Sequence, residues 1–279
     1  MRSVFIGSKN EFDDMIVDWI AANSELTGVV WSDSASWRKT WKGRFRYGMK
    51  RAKKYGFLKV INELILFFYV KKKVAVKDLK LLKREIIRPY WKETGRDFKN
   101  LQFNEINSGN VNQKEVLEFL NQCKPDIIFA MCVNDFFGKK IRNIPTHGVF
   151  LWHEGLTPEY KGLYSPFWTL YNKEYDKLAY SFLKMSDDID SGEVYVQGFA
   201  RDIDLNKHNY SFIGHKAIYD SLPEVEDFLK NLEKKTHKVL TKRNTKPSYY
   251  TYPGMTQYIS MRNNLKKYLS KNKNININY

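Results

Sequence analysis

The 279-residue chain contains only two cysteines, Cys123 and Cys132. Two thiols cannot build a disulfide scaffold, and these two have no metal-ligand spacing, so the chain reads as one kept in a reducing, cytoplasmic setting. Neither GxGxxG nor GxxxxGK followed by Ser or Thr occurs, which removes the grounds for a dinucleotide-binding or P-loop assignment. His147, His208, His215 and His237 are scattered. They read as structural or solvated, and no metal is expected. No apolar run reaches the roughly 20 residues that cross a bilayer: the strongest, residues 57–70 (FLKVINELILFFYV), is shorter and holds Lys59 and Glu63. The opening MRSVFIGSKNEFDD has one arginine before a short apolar run and reads as a buried strand, not a signal peptide. There is no internal repeat.

What is present argues for a folded core. The hydrophobic share of 43% and aromatic share of 15% are higher than a disordered chain would have. The net charge of +16 is local: residues 37–92 hold 19 Lys/Arg against Glu63, Asp78 and Glu85, and the remainder holds 28 of each sign. Nucleic-acid binding by the whole molecule is therefore disfavoured.

Residues 4–6 form a short apolar run closed by Gly7, residues 12–20 follow a helical pattern, and residues 28–31 are apolar again. Strand, turn, helix, strand opens an α/β fold with a mostly parallel sheet. The pattern resumes with strands over 101–106, 125–132, 148–152, 179–184 and 194–199, and a helix over 113–123. Between the two halves sits a basic helical insertion at about 35–98, in which residues 57–70 form a helix that Lys71, Lys72 and Lys73 end. Three readings of it stand: an insertion packed on the core with a solvated basic face, contact with an anionic membrane surface or lipid-linked substrate, and nucleic-acid contact. The division expected is one domain over 1–205 and a largely helical extension over 206–279 with a frayed polar tail.

The densest chemistry lies in residues 153–162, HEGLTPEYKG, directly after an apolar run. About 30 residues later comes Asp187-Asp188-Ile189-Asp190-Ser191-Gly192. A His at the C-terminal edge of a strand stands where open α/β sheets place ligands. An Asp in a second loop at that edge can orient the imidazole and bias its proton, which suits proton transfer around an attacked carbonyl. Cys132, on a buried strand, reads as inert. The run Tyr249-Tyr250-Thr251-Tyr252-Pro253-Gly254 either packs the C-terminal segment or caps the site.

These stretches resemble the paired signatures of the formyltransferase superfamily, which includes methionyl-tRNA, glycinamide ribonucleotide and sugar N-formyltransferases. Its Asn-x-His and Pro/Gly loop correspond to Leu151-Trp152-His153 and residues 155–162, and its later Leu-Asp-Thr-Gly to Ile189-Asp190-Ser191-Gly192. The likeness extends to Pro125-Asp126-Ile127-Ile128 and Phe5-Ile6-Gly7, and covers roughly residues 1–32 and 100–200. It implies a Rossmann-like formyltransferase domain. It further implies transfer of a formyl group from N10-formyltetrahydrofolate to a primary amine, the acceptor being a small molecule such as a nucleotide- or lipid-linked amino sugar of surface-glycan synthesis. His153 would be general base and Asp190 its orienting partner. Met131, Cys132 and Val133, with Asp187 and Asp188, would line the pterin pocket. Gly155, Tyr160, Lys161 and Gly162 would face the acceptor, although Tyr160 is as well read as packing. The departure is Leu151, where the family carries an oxyanion-stabilising asparagine. A backbone N–H after His153, or Asn134, could replace it. Otherwise the chemistry has changed to hydrolysis or another acyl transfer, or the chain is a non-catalytic binder. Transfer RNA as acceptor is disfavoured, because the pattern after residue 200 is helical and lacks the short alternating strands of an appended barrel.

Overall fold

The computed structural model describes residues 1–32, 41–131, 136–241 and 243–272. The first α/β unit runs β1 (Arg2–Gly7), α1 (Glu11–Asn23), β2 (Glu25–Ser32). The basic segment forms α2 (Trp41–Tyr55), α3 (Phe57–Tyr69), α4 (Ala75–Leu82) and α5 (Arg88–Thr94). Then come β3 (Asn104–Ser108), α6 (Lys114–Cys123), β4 (Ile127–Met131), α7 (Lys139–Arg142) and β5 (Gly148–His153). The chain continues through β6 (Lys161–Gly162), α8 (Ser165–Tyr171), β7 (Ala179–Lys184) and β8 (Val194–Phe199). It closes with α9 (Tyr210–Asp220), α10 (Leu222–Glu233), β9 (Tyr249–Tyr250) and α11 (Met255–Lys271).

Seven strands make one α/β sheet in the order β3-β2-β1-β4-β5-β7-β8. The first five are parallel, and β7 and β8 run antiparallel to their neighbours. Alternation along each strand divides the side chains between two faces. Phe5, Trp31, Phe129, Phe150, Trp152 and Phe182 form one core with α1, α9 and α10. Val4, Ile6, Val30, Ile128, Ala130 and Val149 form the other with Val116 and Leu120 of α6 and Ile141 of α7. Burial on both faces is why these strands read as near-continuous apolar runs. Helix α1 starts where the Asn10 side chain accepts the backbone N–H groups of Phe12 and Asp13, both at 3.0 Å.

The insertion is helical, as its pattern predicts, but the lysine run does not end α3. Two π-helical turns, Val70–Val74 and Lys83–Ile87, join α3, α4 and α5 into one continuous rod. Lysine is a good helix former whose charge can remain in water, and nothing at residues 71–73 supplies a breaker. The rod stops where Gly95 takes a left-handed conformation, φ 65°. A second positive φ, 91° at Gly56, turns α2 back onto α3. Among the described residues no helix is long and apolar enough to cross a membrane.

The C-terminal helices close the molecule. Phe228 of α10 packs its ring 5.3 Å from Phe150 and 5.6 Å from Phe182, so α10 covers the sheet directly. Helix α11 lies against α3 and α8: Asn62 donates to the Thr256 hydroxyl at 2.9 Å, and Tyr69 meets the Tyr258 ring at 5.5 Å. Helix α11 runs to Lys271, into the first residues of the polar tail. Residues 273–279 lie outside the described residues.

Candidate functional site

Two loops meet at the end of β5. Its last residue, His153, leads into the Gly/Pro loop, and Asp190 stands in the β7–β8 connection. That connection is a tight turn. Asp190 takes φ 47°, a region that Asp tolerates better than most residues, and a Cβ on Gly192 would overlap the Lys184 carbonyl. Gly192 is therefore a steric requirement of the turn. Inside it, the Asp190 carboxylate accepts the Gly162 backbone N–H at 2.7 Å and lies 3.6 Å from His153 Nδ1.

The other imidazole nitrogen is fixed as well. His153 Nε2 lies 2.6 Å from the Tyr160 carbonyl, which also accepts the Ser165 hydroxyl at 3.1 Å. A carbonyl can only accept, so Nε2 carries a proton, and Nδ1 is the nitrogen turned towards the Asp190 carboxylate. The side chains are 5% and 7% exposed, which leaves the pair little contact with water. Ser181 pins the loop beneath: its hydroxyl donates to the Gly155 carbonyl at 2.7 Å and accepts the Thr157 N–H at 3.2 Å and the Gln197 amide at 2.9 Å. Next to His153, the Glu154 carboxyl packs against Gly214 of α9. Burial pushes it up to about 7, with His153 pulling the other way.

Not every residue expected at the site reaches it. Tyr160 is 2% exposed, stacked 5.3 Å from Tyr250, with its hydroxyl donating to Glu174 at 2.5 Å and accepting from Asn172. It is packing, and it serves the site through its backbone carbonyl, not by contacting an acceptor. Lys161 donates to the Ser191 hydroxyl at 2.8 Å, so it ties the two loops together. Gly155 and Gly162 lie in the loop itself, Gly162 crowded by the Tyr250 backbone through the β6–β9 pairing. Met131 is fully buried in the core, side chain and main chain alike. Cys132, Val133 and Asn134 lie outside the described residues. Asp187 is exposed and bonded to Arg142, whose guanidinium holds that carboxyl below its ordinary range; Asp188 is exposed beside it. Leu151 is on the same face of β5 as His153, and its neighbours across the sheet are Ala130 and Leu183. The place of the expected asparagine is thus apolar on three adjacent strands. Among the described residues, no group of three His, Cys, Asp or Glu side chains could hold a metal ion.

Sequence reasoning missed Ser165, Ser181, Gln197 and Glu154. Only Glu154, inside the motif, carried a signal that could have found it.

No protein-family model matches the chain. A 129-residue stretch is 27% identical to the methionyl-tRNA formyltransferase of Thermotoga neapolitana, covering 46% of this chain and 40% of that one. A second stretch is 28% identical to the bifunctional polymyxin resistance protein ArnA of Wigglesworthia glossinidia brevipalpis, covering 44% of this chain and 19% of that one. The chain thus spans less than half the length of these curated relatives. The sugar N-formyltransferase of a Shewanella species superposes with a TM-score of 0.50 at 13% identity, over 94% of this chain and 86% of its own. The chain is similar to the formyltransferase superfamily in part of its sequence and in its fold. Its mostly parallel seven-stranded sheet with an antiparallel edge is a Rossmann-like fold that matches formyltransferase structures.

Proposed function

We propose that this formyltransferase relative moves a formyl group from N10-formyltetrahydrofolate to the primary amine of an amino sugar used in surface-glycan synthesis. The reading rests on the 3.6 Å approach of His153 Nδ1 to the Asp190 carboxylate at the end of β5. When bound, the donor supplies an activated formyl carbon. An amine that attacks such a carbon must lose a proton. His153, held between the Tyr160 carbonyl and the Asp190 carboxylate, would take that proton directly or through one water. It would return it to N10 of the donor as the bond from N10 to the formyl carbon breaks and tetrahydrofolate leaves, the Asp190 carboxylate stabilising the imidazolium in between. The Gly162 N–H and the Ser191-Gly192 turn hold Asp190 in place, and Ser165 and Ser181 hold the loop that carries the Tyr160 carbonyl.

The residues on the donor side fit a flat heteroaromatic group. Phe136 and Ile189 are 53% and 48% exposed, and Arg142 is bonded to Asp187 and lies 6.0 Å from the Phe136 ring. Apolar faces beside polar main-chain groups suit a pterin, and the exposed stretch at Asp187 and Asp188 supplies such groups. On the acceptor side, Lys161 brings a positive charge suited to a phosphate of a nucleotide- or lipid-linked sugar. The three helices α9, α10 and α11 after residue 200 favour such a small acceptor over transfer RNA, for which a strand-rich appended barrel is expected.

Calorimetric titration of the protein with N10-formyltetrahydrofolate tests the donor assignment. Heat of binding that is lost on adding tetrahydrofolate as competitor is expected, and its absence at every donor concentration removes the reading.

A second reading keeps the fold and changes the acyl chemistry, and Leu151 between Ala130 and Leu183 favours it. Oxyanion donors are worth about 10²–10³ in rate. If Leu151→Asn raises formyl transfer by about tenfold or more, the site has been adapted away from efficient transfer.

A further inference from the structure

Helices α2 and α3 leave an apolar side uncovered. On α3, Val60 and Leu66 point inward, whereas Phe57, Leu58, Ile61, Leu64, Ile65 and Phe68 are exposed, Leu58 at 83%. Their three- and four-residue spacing lines them along one side of the helix. Phe45 and Met49, one turn apart on α2, are exposed too. A helix packed on a domain normally turns its apolar side inward, and a contiguous outward patch marks a binding surface.

The charge around this patch has one sign. Residues 41–92 hold 17 Lys/Arg against Glu63, Asp78 and Glu85. Each acid is withdrawn from the surface. Glu63 pairs with Arg51 at 2.6 Å in a nearly buried contact. Asp78 is 5% exposed, and Glu85 bonds Arg84, Lys207 and His208. Lys50, Lys53, Lys54, Lys59, Lys72 and Lys73 remain exposed around the apolar side.

We propose that α2 and α3 form an interfacial docking surface for an anionic lipid bilayer. The apolar side enters the headgroup–acyl boundary and the lysine rim meets anionic headgroups. An RNA partner would leave the aliphatic side chains Leu58, Ile61, Leu64 and Ile65 without a role, since they neither stack nor hydrogen-bond. A second copy of the chain would bring two rims of like charge together. The surface also adjoins the candidate site: Arg51 of α2 lies 5.0 Å from the Tyr252 ring, and the strand just before Tyr252 pairs with Lys161–Gly162. Docking therefore holds the acceptor side of the site towards the membrane.

The test is co-sedimentation of the full chain with vesicles of phosphatidylcholine, alone or mixed with phosphatidylglycerol. Binding to the anionic vesicles at least about tenfold tighter than to the neutral ones is expected, weakening as salt is added. The double variant Leu58→Glu/Ile65→Glu should lose about tenfold or more, and Lys50→Glu/Lys53→Glu should lose the anionic preference. All four positions are exposed, so both variants should keep the parent's melting temperature. Equal partition onto both vesicle types, no partition, or variants that bind like the parent each overturn the proposal. So does RNA retardation or concentration-dependent dimerisation that these variants abolish without any vesicle binding. The assay contains neither folate nor amine, and His153→Ala should bind vesicles like the parent, so its failure leaves the formyl-transfer reading standing.

Discussion

His153 faces hydrogen-bond acceptors through both ring nitrogens, the Tyr160 carbonyl on one side and the Asp190 carboxylate on the other. Asp190→Asn separates charge from geometry. The amide oxygen still accepts the Gly162 N–H, so the fold and melting temperature should survive. Loss of the negative charge should lower kcat by about 10²–10⁴, with KM little changed. Glu154 gives a second prediction. Its folded pKa of about 7 stands above the ordinary 4.5, so the folded state binds a proton that the unfolded chain would release. The associated stability is complete below about pH 4.5 and lost as pH rises through about 7. Glu154→Gln should therefore narrow the fall in melting temperature that the parent shows between pH 5 and pH 8, roughly the window either side of that titration. The meeting of His153 and Asp190 was legible in the sequence because their two loops together resemble the paired signatures of the formyltransferase superfamily, whereas a strand-end histidine or an Asp-x-Gly turn alone does not announce it. The fate of Tyr160 was not: a tyrosine after Pro-Glu reads alike whether its ring faces a ligand or the Tyr250 ring, 90 residues on in another element.

At the scale of elements, the sheet strands were readable because burial on both faces leaves unbroken apolar runs, and β7 and β8 fall where those runs predict. Two features were not readable. The lysines at 71–73 suggest a stop, yet the helical rod passes through them, because a charge run in water is no obstacle to helix hydrogen bonding. The pairing of Lys161–Gly162 with Tyr249–Tyr250 brings together two-residue strands far apart in the chain, with no local pattern to announce it. The Arg51–Glu63 ion pair, with side chains 14% and 9% exposed, joins α2 to α3. Glu63→Ala strands the guanidinium in a nearly buried position and should cost about 3 kcal/mol. Faster amide exchange across residues 41–69, with the sheet unaffected, is the expected readout. Gly192→Ala should act elsewhere. Its Cβ meets the Lys184 carbonyl, so the Asp190 turn must shift, and activity should fall further than stability does.

At the scale of the whole molecule, the C-terminal helices belong to the core that the sheet begins. Phe228 packs on Phe150 and Phe182, and Trp152 donates to the Ser221 hydroxyl at 3.1 Å. A chain cut after residue 205 should expose those aromatics and fail to give a cooperative thermal transition, whereas the intact chain should give one. The basic insertion is anchored at both ends, by Glu85 to His208 and by Asn62 to Thr256, and its charge is turned outward. Core, site and basic face thus have separate tests. The account's central claim is that His153 and Asp190 move the proton of an attacking amine during formyl transfer. The most direct measurement is mass-spectrometric detection of formylated product when the protein is incubated with N10-formyltetrahydrofolate and a panel of nucleotide-linked amino sugars, alongside His153→Ala and Asp190→Asn. The account predicts a product 28 Da heavier, roughly one formyl group in place of hydrogen, with the parent and a loss of at least about 10² in rate with either variant. Equal product from parent and variants would contradict it.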